Sequence, residues 1–164
     1  MGRTKEEALD QLSFIAITTV FVATFFVVGV GLLTTKIKLW KLLSVCYLLA
    51  MASFLVVCGD YWAHDKKRIT GLYTFGIISS LVWVNCLGAL GYIIMSKLSS
   101  PEARGTIFFT AGLLSSVGIL VLQAVGGKLY DAGNKEGAFI IGIAFSVVGF
   151  VVIVVLRCLG KFEV

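Results

Sequence analysis

The stretch SSPEARGTIFFTAGLLSSVGILVLQAVGGKLYD, residues 99–131, carries the pattern that decides the fold. It opens with a polar segment that contains Pro101, carries no charge between Arg104 and Lys128, and returns to charged residues at Asp131. An uncharged run of this length falls within the roughly 17–25 residues that a helix needs to cross the hydrocarbon layer of a bilayer. We therefore predict a transmembrane helix over residues 105–127.

Four further apolar runs lie outside this stretch and predict spans at approximately 14–33, 42–59, 71–96 and 137–157. The chain is 59% hydrophobic and 14% charged, with a mean hydropathy of +1.00. A soluble domain of this length would need more charge on its surface, and the alternating pattern of a membrane barrel is absent. The sequence predicts an all-α polytopic membrane protein. An N-terminal leader, residues 1–12, precedes a single transmembrane domain, residues 13–164, with five helices in a compact bundle.

The charges lie mainly between the runs and favour one orientation. Seven Lys and Arg residues fall on each side of the membrane, so their number alone does not decide it. The side that holds residues 34–41 and 97–104 has fewer acids, and its first loop carries Lys36, Lys38 and Lys41 with none. We expect this side to be cytoplasmic. The net charge of +5 suits anionic lipid headgroups, and no basic helix outside the membrane indicates a nucleic-acid partner.

Residues that could carry out chemistry are few. No nucleophile–base pair, phosphate-binding loop or CxxC pair occurs, so we predict no enzyme activity, no cofactor and no metal site. His64 is the single histidine and stands between Asp60 and Asp65. These three side chains could hold a metal ion, but a solvated loop is the expectation. No Asp, Glu, Lys, Arg or His lies deep in a span, so no proton relay is evident.

Small residues are abundant in the predicted spans and favour close helix packing in lipid. Those with this expected role are Gly29, Gly31, Gly88, Ala89, Gly91, Ala111, Gly112, Ser115, Ser116, Gly118, Ala138, Gly142, Ser146 and Gly149. Three polar side chains at membrane depth, Trp83, Asn85 and Gln123, need partners there. They either face a substrate or hydrogen-bond between helices, and the sequence leaves both open. The aromatic residues near span ends suit an interfacial belt.

Residues 99–138 resemble the segment of major facilitator superfamily transporters that enters and forms the eleventh helix. That family often shows a proline-containing loop with Arg-Gly, a helix rich in small residues, then Gly-Gly and an aspartate. The matching residues here are Pro101, Arg104, Gly105, Gly112, Gly118, Gly126, Gly127 and Asp131. Gly137 resembles the start of the twelfth helix, so the chain would correspond to helices eight to twelve. Thr34 and Thr35 stand where an earlier loop of the family often has an acid.

The resemblance implies a transporter that is incomplete. Transporters of this family have twelve helices in two halves, with the substrate held between halves that rock against each other. Five helices are not expected to transport alone, so the first hypothesis requires a missing N-terminal half or another partner membrane protein. The alternative is a non-catalytic structural or accessory subunit of a larger membrane complex. A third hypothesis is a small tetraspan-like scaffold.

Overall fold

A computed structural model describes residues 5–63, 71–134 and 136–160. The described chain is all-α, with five helices and no strand: α1 (Lys5–Leu33), α2 (Leu39–Ala63), α3 (Gly71–Leu98), α4 (Arg104–Asp131) and α5 (Gly137–Cys158). Each contains a window long and apolar enough to cross a membrane. The predicted fold class is thus confirmed. His64, Asp65 and the first four residues of the leader lie outside the described residues.

Several helices extend beyond the predicted spans. α1 begins at Lys5, so the described part of the leader is continuous with the first membrane helix. α2 includes Asp60, which the sequence had placed in a loop, and α4 continues through Gly126 and Gly127 to Asp131. A predicted span ends where charged residues begin, because hydropathy falls there. The backbone hydrogen bonds of a helix can continue past that point, and its polar ends can reach the headgroup layer.

The buried core is built around α2. α2 packs against α3 on one side and α5 on the other, and α1 packs against α3. One hydrophobic cluster joins all four helices through buried residues that include Val30 of α1, Cys46 of α2, Leu90 of α3 and Ile153 of α5. No buried member of this cluster comes from α4. Four helices therefore share a core, and the fifth lies outside it.

α2 and α3 approach each other closely at a glycine. A Cβ atom placed on Gly76 would lie 2.7 Å from Cγ2 of Val57, so only a glycine fits there without movement of its neighbour. One helical turn away, Oγ of Ser53 and Oγ of Ser79 form a hydrogen bond of 2.8 Å between the two helices. Small side chains and a polar contact thus join α2 and α3, as expected for helices that associate in lipid.

α2 and α5 run antiparallel, and aromatic rings of α2 lie on glycines of α5. The ring of Phe54 covers Gly142, where an added Cβ would come within 2.8 Å of Cζ. Seven residues away on each helix, the ring of Tyr47 covers Gly149 at still closer range. We call these two ring–glycine contacts the α2–α5 seam. A heptad spacing on both helices returns each contact to the same helix face.

The ends of the seam carry polar contacts. At one end Cζ of Arg157 lies 5.3 Å from the centre of the Trp40 ring. At the other, Nε1 of Trp62 donates a hydrogen bond of 3.4 Å to Oε1 of Glu136. Both tryptophans lie at ends of α2, as predicted for an interfacial aromatic belt. Trp40 also contacts α5, and Trp62 contacts the residue that precedes α5.

Most of the glycines predicted to support helix packing have open space in the described chain where a side chain would begin. For these glycines no described heavy atom lies within 4 Å of an added Cβ: Gly29, Gly31, Gly88, Gly91, Gly112 and Gly118. The close packing expected at these glycines is therefore not made between the described helices of this chain. The expectation is correct at Gly142 and Gly149, because large rings of α2 lie opposite them.

Candidate functional site

α4 lies apart from the other helices and carries most of the residues singled out from the sequence. None of the residues in its most apolar 18-residue window is buried, whereas 39% of those in the corresponding window of α2 are. Near its N-terminal end, the ring of Phe108 meets that of Tyr92 with centroids 5.8 Å apart. Near its other end, Leu129 packs on Gly137 at the start of α5. α4 is thus attached at its two ends.

Between these attachments a cavity of about 400 Å³ separates α4 from the rest of the bundle. Its lining comes from four helices: Tyr47, Phe54, Val84, Leu87, Leu122, Ala138, Ile141, Gly142, Phe145 and Ser146. The lining is almost entirely apolar. The hydroxyl of Ser146 donates to the carbonyl oxygen of Gly142 on its own helix, so it offers little to a polar ligand. The space suits hydrocarbon or another helix better than a polar solute.

The face of α4 that looks towards this cavity is made of small residues. Ala111, Ser115 and Gly118 are spaced i, i+4 and i+7, which places them on the same helix face as Leu122. Leu122 lines the cavity, so this face is turned towards the bundle. We call Ala111, Ser115 and Gly118 the small face of α4. It is open to the gap, because nothing described approaches the Cβ position of Gly118 within 4 Å.

The opposite face of α4 carries large apolar side chains. Phe109, Leu113 and Leu120 are 68%, 53% and 65% exposed. Side chains of this kind suit the hydrocarbon of the bilayer. α4 therefore has one face suited to lipid and one suited to close contact with a helix, and the second is not in contact with one.

The residues of the transporter-like motif occupy the loop before α4 and the helix itself. Pro101, Arg104 and Gly105 are exposed at the start, and Gly118 and Gly127 are exposed along the helix. A Cβ atom placed on Gly126 would lie 3.9 Å from Cβ of Ala138. Asp131 ends the helix. Gly137 begins α5, as predicted for the start of the final span.

The charged side chains of the motif make no ion pair within the described part of the chain. Arg104 is exposed at the first position of α4, and its side chain makes no hydrogen bond or ion pair with a described residue. Lys128 and Asp131 are both exposed and form no ion pair within the part of the chain that the structure describes. Gly126 and Gly127 do not end the helix, because α4 continues for another turn.

The three polar side chains at membrane depth are not brought together. Trp83 packs edge-on against Phe26 of α1, with ring centroids 5.3 Å apart. Asn85 lies about 200° further round α3 and is exposed. Its Nδ2 donates a hydrogen bond of 2.8 Å to the carbonyl oxygen of Leu81 on its own helix. Gln123 is exposed on α4.

None of these three side chains lines the cavity beside α4. The contacts of Trp83 join α3 to α1, whereas Asn85 makes its hydrogen bond within its helix. The cavity is lined instead by ordinary apolar residues, which carry no signal in the sequence. The small face of α4 was recognisable from its composition, but its separation from the bundle was not.

The ionisable groups of the described chain do not gather at a metal site. No group of three or more His, Cys, Asp or Glu side chains is placed to hold an ion among residues 5–63, 71–134 and 136–160. Asp60 is 6% exposed near the end of α2, and Glu136 precedes α5. Asp65 and His64, the other members of the candidate cluster, lie outside the described residues.

No protein-family model matches the chain, and no solved structure matches it. The five apolar helices define the class of protein on their own: an integral, multi-pass membrane protein.

Proposed function

We propose that this chain is a non-enzymatic membrane subunit that works within a larger assembly. In this proposal a transmembrane helix of a partner protein packs against the small face of α4. The observation that supports it is the separation of that face from the chain's own bundle along the middle of α4. The attachments at both ends of α4 leave the gap open between them.

The physical argument rests on how helices associate in lipid. Lipid tails are as apolar as the side chains, so association depends on close van der Waals contact and polar contacts rather than on a hydrophobic drive. Small residues permit that contact because they let two backbones approach. Gly118 and Ser115 present such a surface, while the outward Leu120 and Phe109 are suited to lipid. A partner helix that lies along the small face would gain close contact with the backbone of α4.

The resemblance to the major facilitator superfamily supplies a second candidate. The order of Arg104-Gly105, the small residues, Gly126-Gly127 and Asp131 along one helix supports a C-terminal part of such a transporter. Its partner would then be the N-terminal half, which this five-helix bundle needs for alternating access. The dispersed positions of Trp83, Asn85 and Gln123 favour the accessory subunit over this candidate. Both candidates require a partner, and they differ in what it is.

A two-dimensional gel, native and then denaturing, tests the proposal on the endogenous protein tagged at Val164 and gently solubilised. We expect a small denatured band of the chain within a large native complex, together with a stoichiometric partner. A denatured band much larger than 17.7 kDa would instead identify the tail of a full transporter. Migration of the wild-type chain alone would overturn both candidates.

The variant Gly118→Leu tests the role of α4 within the same experiment. It places a large side chain on the small face, where no described atom lies within 4 Å of an added Cβ, so we expect the chain to fold and the partner to be lost. Gly88→Leu is the matched control, since Gly88 of α3 is also exposed and has no described atom within 4 Å of an added Cβ. Equal loss of the partner in both variants would place the interface elsewhere.

A further inference from the structure

A second cavity lies on the other side of the molecule, between α1 and α2. It has a volume of about 420 Å³, and its lining is apolar: Phe25, Phe26, Gly29, Val30, Leu33, Leu42, Val45, Cys46 and Trp83. α1 packs mainly against α3, so α1 and α2 are left apart over this length. We call this cavity the α1–α2 crevice. Trp83 of α3 completes its wall and contacts Phe26 across it.

The crevice reaches the end of the bundle at the connection between the two helices. Leu33 is the last residue of α1, and Leu42 lies in the first turn of α2. Both line the crevice, so it extends from Trp83, in the middle of α3, towards the membrane surface at residues 34–38. No described atom lies within 4 Å of a Cβ placed on Gly29. In a bilayer this space is open to hydrocarbon rather than to water.

Positive charge surrounds the surface end of the crevice. Lys36 and Lys38 are exposed in the connection, and Lys41 directly precedes Leu42. Nζ of Lys41 lies 5.6 Å from the centre of the Trp40 ring, which also carries Arg157 at 5.3 Å. No Asp or Glu occurs in the sequence between Asp10 and Asp60, so the connection itself carries only positive charge.

We propose that the α1–α2 crevice binds one acyl chain of an anionic phospholipid, whose phosphate lies among Lys36, Lys38 and Lys41. The apolar walls accept the chain, and the lysines select the headgroup by charge. A zwitterionic lipid offers the same chain but no net charge, so it binds less tightly. The site is separate from α4 and does not depend on the proposed subunit function.

Fluorescence quenching of Trp83 tests the site directly. The variant Trp40→Phe/Trp62→Phe leaves Trp83 as the single tryptophan, in full-length protein reconstituted into phosphatidylcholine vesicles. Phosphatidylglycerol or phosphatidylcholine with identical brominated chains is then added at equal mole fraction. We expect a preference for the anionic lipid of about fivefold or more, which is the effect of one lysine at a charged surface. Equal quenching by the two lipids would overturn the proposal.

Removal of the lysines separates a specific site from general surface charge. In the same single-tryptophan protein, Lys36→Gln/Lys38→Gln should sharply reduce the preference for the anionic lipid, because only Lys41 remains at the site. Lys97→Gln/Arg104→Gln is the control, because it removes the same charge from the same side of the membrane at residues that do not line the crevice. A similar loss in both double variants would show that the lysines act only through surface potential and would overturn the site.

A plugged crevice tests the position of the acyl chain. Gly29→Leu fills the space that the chain would occupy and should remove most quenching by both brominated lipids. Gly31→Leu makes the same substitution two residues further along α1, outside the lining and with no described atom within 4 Å, so quenching should persist. Full quenching in the Gly29→Leu protein would place the lipid elsewhere.

Discussion

α2 and α4 are similar in sequence character and opposite in environment. The apolar windows of the two helices have mean hydropathies of 2.3 and 2.0, yet 39% of the first is buried and none of the second. α2 is packed by α3 and α5. α4 touches its neighbours at its ends and faces a cavity between them. Hydropathy therefore identifies which helices cross the membrane, but it does not reveal which of them form the core.

The difference lies in what stands opposite the small residues. On α5, Gly142 and Gly149 receive the rings of Phe54 and Tyr47, so each glycine is half of a contact whose other half is a large side chain. On α4, Gly118 has no such ring in reach. A small residue permits close approach, but a complementary partner is needed to make the contact.

The largest effect is expected from a leucine in the α2–α5 seam. Gly149→Leu drives a side chain into the ring of Tyr47, and overpacking of this kind costs about 2 kcal/mol of unfolding free energy. Gly118→Leu is the matched substitution on α4 and should change the stability of the isolated chain by less than about 0.5 kcal/mol. Unfolding in mixed micelles, titrated with a denaturing detergent, measures both.

The added variant Tyr47→Ala checks the cause of that loss. In the Gly149→Leu background it removes the ring that the leucine meets, so part of the lost stability should return. Equal losses for leucine at positions 149 and 118 would contradict the contrast between the seam and the small face of α4.

A smaller effect is expected at the hydrogen bond between Ser53 and Ser79. A double-mutant cycle with Ser53→Ala and Ser79→Ala should give a coupling free energy of about 0.6 kcal/mol, the average for polar contacts between membrane helices. Ser53→Ala combined with Ser116→Ala is the control, because the hydroxyl of Ser116 donates to Gly112 within α4. Zero coupling for the first pair would show that this contact does not hold α2 to α3.

The smallest effect on the isolated chain is expected at Gln123. This amide is exposed on α4 and makes no hydrogen bond with a described residue, so Gln123→Leu should leave stability within about 0.5 kcal/mol of the wild type. The same unfolding titration measures it. A loss above about 1 kcal/mol would indicate that α4 is held to the bundle through Gln123.

The fold could be predicted because the signal for each span is local. Every helix contains its predicted apolar run, and charges such as Lys41, Lys97 and Lys128 lie near helix ends. The helix limits differ by a turn where a polar residue such as Asp60 remains helical. Backbone hydrogen bonding continues past the last apolar residue, and a hydropathy pattern does not record it.

The packing could be predicted only in part, because it depends on pairs of helices. The aromatic residues of α2 recur at positions 40, 47 and 54, a heptad spacing that was visible in the sequence but was interpreted only at the membrane edge. Gly142 and Gly149 have the same spacing on α5. The sequence does not show that α2 is the helix whose rings cover these glycines, because that pairing depends on how the helices are arranged in the bundle. The two cavities were not predictable, since their linings are ordinary apolar side chains.

The α2–α5 seam also has a consequence for the order of membrane insertion. α5 leaves the ribosome only after α3 and α4, so the rings of Tyr47 and Phe54 meet lipid for as long as those helices take to be made. Translation at about 5–20 residues per second makes that interval several seconds. During it, α2 and α3 can already form a hairpin, and the late arrival of Gly142 and Gly149 displaces lipid from the rings. The seam is thus completed when α5 docks onto a hairpin assembled earlier.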